Sequence, residues 1–213
     1  MIENVFKKIL VLGPHTDDGE IGAGGTISKL IKMGSEVHYA TFSLSEESLP
    51  KGLPKDTLAH EVKEASKILG IKLENLYNYK YKVRKLNFSR QDILEDIIKL
   101  RNKIEPTLVI TPCSYDIHQD HKTIYEESLR AFKKTNVIGY ELPWNNMVID
   151  NRCFIEISVD DIQTKFKSIK AYKSQDYRDY MSEEYIKALA IVRGKQISVD
   201  YAESFEVIRL IIK

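Results

Sequence analysis

The sequence carries almost no net charge: 32 Lys+Arg stand against 31 Asp+Glu, leaving +1. No global field therefore draws the chain to nucleic acid or to an anionic membrane surface. Cysteine is scarce as well. Cys113 and Cys153 are the only two in 213 residues, too few for a disulfide framework and without the paired spacing of a thiolate metal site, so both read as free thiols. Long apolar runs are missing. Ile9-Leu10-Val11-Leu12 falls far short of the ~18 residues of a membrane-spanning helix, and it is too short for a signal-peptide core. A cytoplasmic protein without an integral membrane segment is expected. There is no internal repeat, low-complexity tract or Ser/Gly/Pro-rich linker, so residues 1–213 read as a single domain. The apolar fraction of 43% and charged fraction of 30% allow a sizeable core.

What is present alternates between two periods. Lys8 to Gly13 is a short apolar run that suits a strand buried on both faces. Ile27, Leu30 and Ile31 then recur at helical spacing until Gly34. Val37 to Phe42 predicts a second strand. Ser43 to Lys55 reads as a long loop. Asp56 or Thr57 is expected to cap a helix buried through Leu58, Val62, Ala65 and Leu69. Leu76 to Tyr81 is a weaker strand. Ser89-x-x-Asp92 has the form of a capping box, ahead of the stripe Ile93, Ile97, Leu100 and Ile104 that Pro106 ends. Thr107 to Thr111 is another buried strand, and Ile124, Ser128 and Phe132 mark a helix. Short strands follow at Val137 to Tyr140 and Phe154 to Ile157, then helices around Asp161 to Tyr172 and Ser182 to Arg193. Phe205 to Ile212 fits either a strand or a buried helix end. This alternation predicts an α/β domain, a mostly parallel sheet flanked by helices.

Two segments gather acids and histidines just after buried strands. One runs Gly13-Pro14-His15-Thr16-Asp17-Asp18-Gly19-Glu20; the other runs Pro112-Cys113-Ser114-Tyr115-Asp116-Ile117-His118-Gln119-Asp120-His121. Both are expected at the carboxyl ends of parallel strands, where open α/β sheets bind ligands. Imidazole and carboxylate form a common zinc shell, and catalytic zinc takes three protein ligands. His15, Asp18 and His121 satisfy that count. Asp17, one step off the metal, is placed to take a proton from water. His118 is placed to donate to a developing oxyanion, and Asp120 to orient an imidazole.

The remaining candidates have plainer uses. His60 lies opposite its helix's apolar face, and His38 begins a strand away from the site edge. Gly22, Gly24 and Gly25 do not form a dinucleotide fingerprint and read as permitting close approach of helix to sheet. Trp144, in Tyr140-Glu141-Leu142-Pro143-Trp144-Asn145, fits either a sugar-stacking loop or a buried strand end.

On these residues the chain resembles the PIG-L-type, LmbE-like family of zinc-dependent N-deacetylases. Pro14-His15-Thr16-Asp17-Asp18 with Gly24-Gly25 is similar to the family's first signature, and His118-Gln119-Asp120-His121 to its second. The likeness extends to Lys170-Ala171-Tyr172-Lys173-Ser174-Gln175 and Tyr201-Ala202-Glu203. It implies a Rossmann-like fold and one zinc ion on His15, Asp18 and His121, with ferrous iron as the alternative in the cell. It further implies Asp17 as base and later proton donor, His118 as oxyanion donor and Asp120 as its support. The substrate implied is an N-acetylglucosamine-type amino sugar, on a carrier in glycan or polysaccharide metabolism. One position departs: Leu58 stands where many members have a substrate-holding arginine. A homo-oligomer is left open. Two other readings remain, a metal-dependent phosphoester hydrolase and a non-catalytic sugar- or nucleotide-binding module. The two signature segments, 13–25 and 112–121, hold no Lys or Arg, which weighs against phosphoryl transfer, and a base beside the metal weighs against a mere binding module.

Overall fold

The structure, a computed structural model, describes residues 6–212. Strand β1 (Lys8–Gly13) is buried along almost its whole length, as its apolar run requires. It pairs in parallel with β2 (Glu36–Thr41) on one side and β4 (Leu108–Pro112) on the other. Beyond β2 lies β3 (Leu76–Asn78), and beyond β4 lies β5 (Asn136–Tyr140), both parallel. The sheet is completed by β7 (Ala202–Arg209), antiparallel to both β5 and β6 (Cys153–Glu156). The seven strands thus run in the order β3-β2-β1-β4-β5-β7-β6. The chain leaves β1 toward β2 and returns to β4 on β1's other side. That reversal opens a crevice at the carboxyl ends of β1 and β4.

Alternate residues of β1 serve two cores, as strand geometry dictates. Ile9 and Val11 join Ile27 of α1 (Asp18–Lys32), Leu58 and Val62 of α2 (Thr57–Leu69) and Ile169 of α5 (Val159–Ile169). Leu10 and Leu12 face the other way, onto Ile93 and Ile97 of α3 (Arg90–Ile104) and Ile124 of α4 (Gln119–Ala131). The last helix, α6 (Glu183–Gln196), packs beside β7. Helix α1 lies close to the sheet because Gly22 has no side chain: a Cβ there would meet the Tyr140 ring at 2.3 Å. Among the described residues no helix is long and apolar enough to cross a membrane.

Several local expectations need correction. Ser89 makes no capping bond, so the Ser89–Asp92 box does not form, and neither does a side-chain cap at Asp56. Asp56 instead meets His60 at 3.2 Å on the exposed helix surface, and Thr57 Oγ1 donates to the Pro54 carbonyl. The capping box that does form joins Ser158 and Asp161 at the start of α5. The strand expected over Leu76 to Tyr81 stops at Asn78. Tyr79 and Tyr81 lie beyond the strand proper yet still donate their backbone N–H groups to the Thr41 and Phe42 carbonyls, and their rings stack near Phe42. Of the ambiguous run Phe205 to Ile212, the part up to Arg209 is strand and Leu210 to Ile212 lie outside it.

Candidate active site

The two acid-histidine segments follow neighbouring strands, β1 and β4, and so meet at one sheet edge. Three side-chain atoms converge there. Asp18 Oδ2 lies 3.1 Å from His15 Nδ1 and 3.4 Å from His121 Nε2, and the two imidazole nitrogens are 3.2 Å apart. A tetrahedral ion with bonds of 2.0–2.2 Å separates its ligands by about 3.3–3.6 Å. The triangle approaches those dimensions, and its donor set is one that zinc accepts. A triad of His15, His118 and His121 also gathers ligand atoms within 4.8 Å of one another, so two donor sets can be drawn.

The groups behind the rings separate them. A metal-bound imidazole usually gives its other N–H to a carboxylate or carbonyl. His121 Nδ1 lies 2.6 Å from Asp116 Oδ2, and His15 Nε2 lies 3.0 Å from Asp120 Oδ2. His118 has no such backing. Its Nδ1 accepts the Asp120 backbone N–H at 3.1 Å, capping α4, which leaves the proton of the neutral ring on Nε2.

Asp120 therefore does orient an imidazole, but the ring is that of His15 and not His118. Asp120 also accepts the backbone N–H groups of Arg84 at 2.6 Å and Leu86 at 3.2 Å, tying a distant loop to the site. Asp116 was without an expected role. Its only sequence signal is its place five residues before His121, in the same acid-rich segment.

Electrostatics follow from crowding charge under the sheet edge. Burial opposes a protonated His15, but the Asp18 and Asp120 carboxylates outweigh it and push the imidazole up to about 10. Burial likewise opposes an ionised Asp18, yet His121 and His15 hold its carboxyl well below the usual range. Burial and the neighbouring Asp18 charge push Asp17 up, against the pull of Arg178 and His15. Burial and the adjacent imidazoles push His118 down to about 4, so it is neutral at pH 7. Beneath the loop, burial raises Glu20 to about 8. The Tyr39 and Tyr172 hydroxyls lie within 2.9 and 2.7 Å of its carboxyl, and both also reach the Thr16 carbonyl. Each hydroxyl has one proton to give. A protonated Glu20 adds a third proton to these four contacts, and the cluster holds the His15–Asp18 loop in place.

Above the triangle opens a cavity of about 290 Å³, with His15, Asp17, Asp18, His118 and His121 in its lining. Leu58, fully buried, forms part of its wall, and Trp144 stands at its edge, 37% exposed. The Trp144 ring is stacked on Tyr180 at 4.0 Å, so it is not the buried strand-end aromatic. The basic residues absent from the signature segments arrive from elsewhere: Arg84 and Arg178 both line the cavity. His38 lies apart, between Tyr77 and Glu36.

Comparison with known proteins accords with this geometry. Diacetylchitobiose deacetylase of Thermococcus kodakarensis is 26% identical over 94% of this chain and 82% of its own length. The structure of N,N'-diacetylchitobiose deacetylase from Pyrococcus horikoshii superposes with a TM-score of 0.79 at 24% identity, covering 95% of this chain and 84% of that one. The 4-carboxy-2-hydroxymuconate hydratase of Pseudomonas putida reaches the same TM-score at 18% identity, over 97% and 98% of the two chains. Fold likeness at these identities establishes architecture and leaves the reaction to other observations. The family profile described as GlcNAc-PI de-N-acetylase matches residues 10–132. That span is more than half of the chain and contains both acid-histidine segments, so the protein belongs to the PIG-L family of deacetylating amidohydrolases.

Proposed function

We propose that this protein is a zinc-dependent N-deacetylase that hydrolyses the acetamido group of an N-acetylglucosamine-type sugar to free amine and acetate. The observation that carries the reading is the donor triangle of His15, Asp18 and His121, its two imidazoles backed by Asp120 and Asp116, with Asp17 beside it in an open cavity. His15, Asp18 and His121 would hold the zinc ion, which would supply Lewis acidity to the amide. Asp17, its carboxyl pushed up by burial and by Asp18, accepts the proton of the attacking water. The carbonyl carbon becomes tetrahedral, and the His118 Nε2–H donates to its oxygen. Asp17 then returns the proton to the leaving nitrogen as the C–N bond breaks. Asp116 and Asp120 hold the His121 and His15 rings in the tautomer whose inward nitrogen is free to bind the ion.

Arg84 and Arg178 give a phosphoester hydrolase two of the cations that it needs. Such an enzyme usually adds a second, carboxylate-rich metal site, and among the described residues only one cluster gathers. A binding module alone has no use for an Asp17 poised as a base. The test is acetate release from N-acetylglucosamine glycosides by zinc-loaded protein, run beside phosphate release from matched sugar phosphates. Acetate without phosphate is expected. Phosphate without acetate overturns the reading.

A further inference from the structure

The stretch after α5 sets one neutral side chain, Gln175, into the cavity wall with its polarity fixed by its neighbours. Gln175 Nε2 donates to Ser174 Oγ at 3.0 Å. Ser174 is gripped in turn by Glu61 of α2: its backbone N–H donates to Oε1 at 2.9 Å and its hydroxyl to Oε2 at 2.7 Å. A serine hydroxyl has one proton. Because Glu61 takes it, Oγ can only accept from Gln175, and the amide must turn its NH2 to Ser174 and its oxygen away. Gln175 Oε1 accepts no hydrogen bond from any described residue, and it is not among the side-chain atoms sealed from solvent without a partner. It is a free acceptor on the cavity wall. The backbone fixes it relative to Asp17, because the Gln175 N–H donates to the Tyr172 carbonyl at 2.9 Å and the Tyr172 hydroxyl donates to the Thr16 carbonyl at 2.5 Å. Elsewhere on the wall Arg84 and Arg178 only donate, and the Ser48 and Tyr180 hydroxyls already accept from them. A sugar hydroxyl taken out of water needs an acceptor for its proton.

We propose that Gln175 is a specificity-determining residue whose Oε1 accepts a ring hydroxyl of the sugar, and that Glu61 is a positioning residue that fixes this polarity through Ser174. This rests on the deacetylase reading for the identity of the sugar, and binding tests it apart from turnover. The chain of bonds makes a particular demand. In Glu61→Gln the new amide oxygen still accepts the Ser174 N–H, but its NH2 faces Oγ, which must accept and turn its proton toward Gln175. The Gln175 amide then flips and presents NH2 to the cavity, so that an acceptor becomes a donor. The reverse placement of the new amide sets its NH2 against the Ser174 N–H, two donors facing each other. If Glu61 only held the stretch from Lys173 to Met181 in place, its loss would weaken every sugar alike.

The experiment compares methyl N-acetylglucosaminide with its 3-, 4- and 6-deoxy forms and with the matching deoxyfluoro sugars. Affinities are measured by calorimetry on zinc-loaded Asp17→Asn protein, in which turnover is suppressed; KM and kcat for acetate release are measured with Asp17 intact. Leaving the acceptor without its proton should weaken binding of at least one deoxy sugar by about 10- to 100-fold. Gln175→Leu should abolish that loss and leave the order of the other sugars as it was. Fluorine accepts weakly and never donates, so at the same position the fluoro sugar should bind no better than the deoxy sugar while Glu61 is present. With Glu61→Gln it should bind severalfold better. Ser174→Ala frees the amide to turn and should blunt the discrimination; it stands in for either variant that melting curves show to be unfolded. Deoxy sugars that all bind like the parent overturn the proposal. So does a loss that survives Gln175→Leu, and so does a Glu61→Gln protein that weakens every sugar alike or keeps the original order of fluoro and deoxy sugars. If the discrimination is found but no acetate is released from any sugar, the deacetylase reading fails while the assignment of Gln175 stands.

Discussion

Replacing Asp116 by asparagine exchanges one buried oxygen for an amide nitrogen, and the surroundings leave no good orientation for it. Asp116 Oδ2 holds His121 Nδ1 at 2.6 Å, while Oδ1 accepts the His118 backbone N–H at 2.8 Å. The carboxylate accepts twice; an amide accepts on one side and donates on the other. If its oxygen faces His121, its NH2 confronts the His118 N–H, and burying two facing donors costs about 1–3 kcal/mol. If its NH2 faces His121, Nδ1 must accept and the ring proton moves to Nε2, the nitrogen that belongs to the donor triangle. Either outcome weakens the metal site without touching a metal ligand. The expected loss is about 10- to 100-fold in zinc affinity, or about 1.4–2.8 kcal/mol at ~1.4 kcal/mol per tenfold. Competition with a chromogenic chelator at fixed pH measures it, with circular dichroism to confirm the fold. An Asp116→Asn protein that binds zinc as tightly as the wild type would refute the assignment of His121 Nε2 as a ligand.

Asp17→Asn should keep zinc and lower kcat by about 10²- to 10⁴-fold, the usual contribution of a general base; loss of zinc on dialysis would instead make Asp17 a ligand. Glu20 gives a pH test. Its folded carboxyl titrates near 8 against an ordinary value of 4.5, so between those values the unfolded chain has lost a proton that the folded chain keeps. Stability therefore falls as pH rises through that window, by up to a few kcal/mol. Glu20→Gln removes this component, and its melting temperature should decline less than that of the wild type from pH 5 to 8; parallel curves would show that Glu20 is ionised in the folded protein.

The buried central strands and both reactive segments were legible because they depend on local pattern, whereas the ends of β3 and β7 were not. Burial on both faces leaves an unbroken apolar run in β1 and β4, and a ligand edge leaves acids and histidines directly after it. Which carboxylate serves which imidazole was not legible. Asp120 sits two residues after His118 in sequence yet reaches across to His15, because the α4 start turns its side chain toward the β1 loop. Asp116 reaches forward to His121 through loop geometry that no periodicity records. Arg178 and Tyr180 lie in an irregular stretch of short helical turns, where neither helical nor strand spacing marks a facing side. The failed box at Ser89 has a similar cause: the motif names the residues, but the preceding turn Leu86–Ser89 already brings the chain into helical geometry, and no side-chain cap forms.

The ligand set is tested most directly by a crystal structure of the zinc-loaded protein with anomalous data collected at the zinc absorption edge. One peak is expected, about 2.0–2.2 Å from His15 Nδ1, Asp18 Oδ2 and His121 Nε2, with His118 outside bonding distance. A peak bonded to His118 in place of Asp18, or a second ion beside the first, would contradict the account.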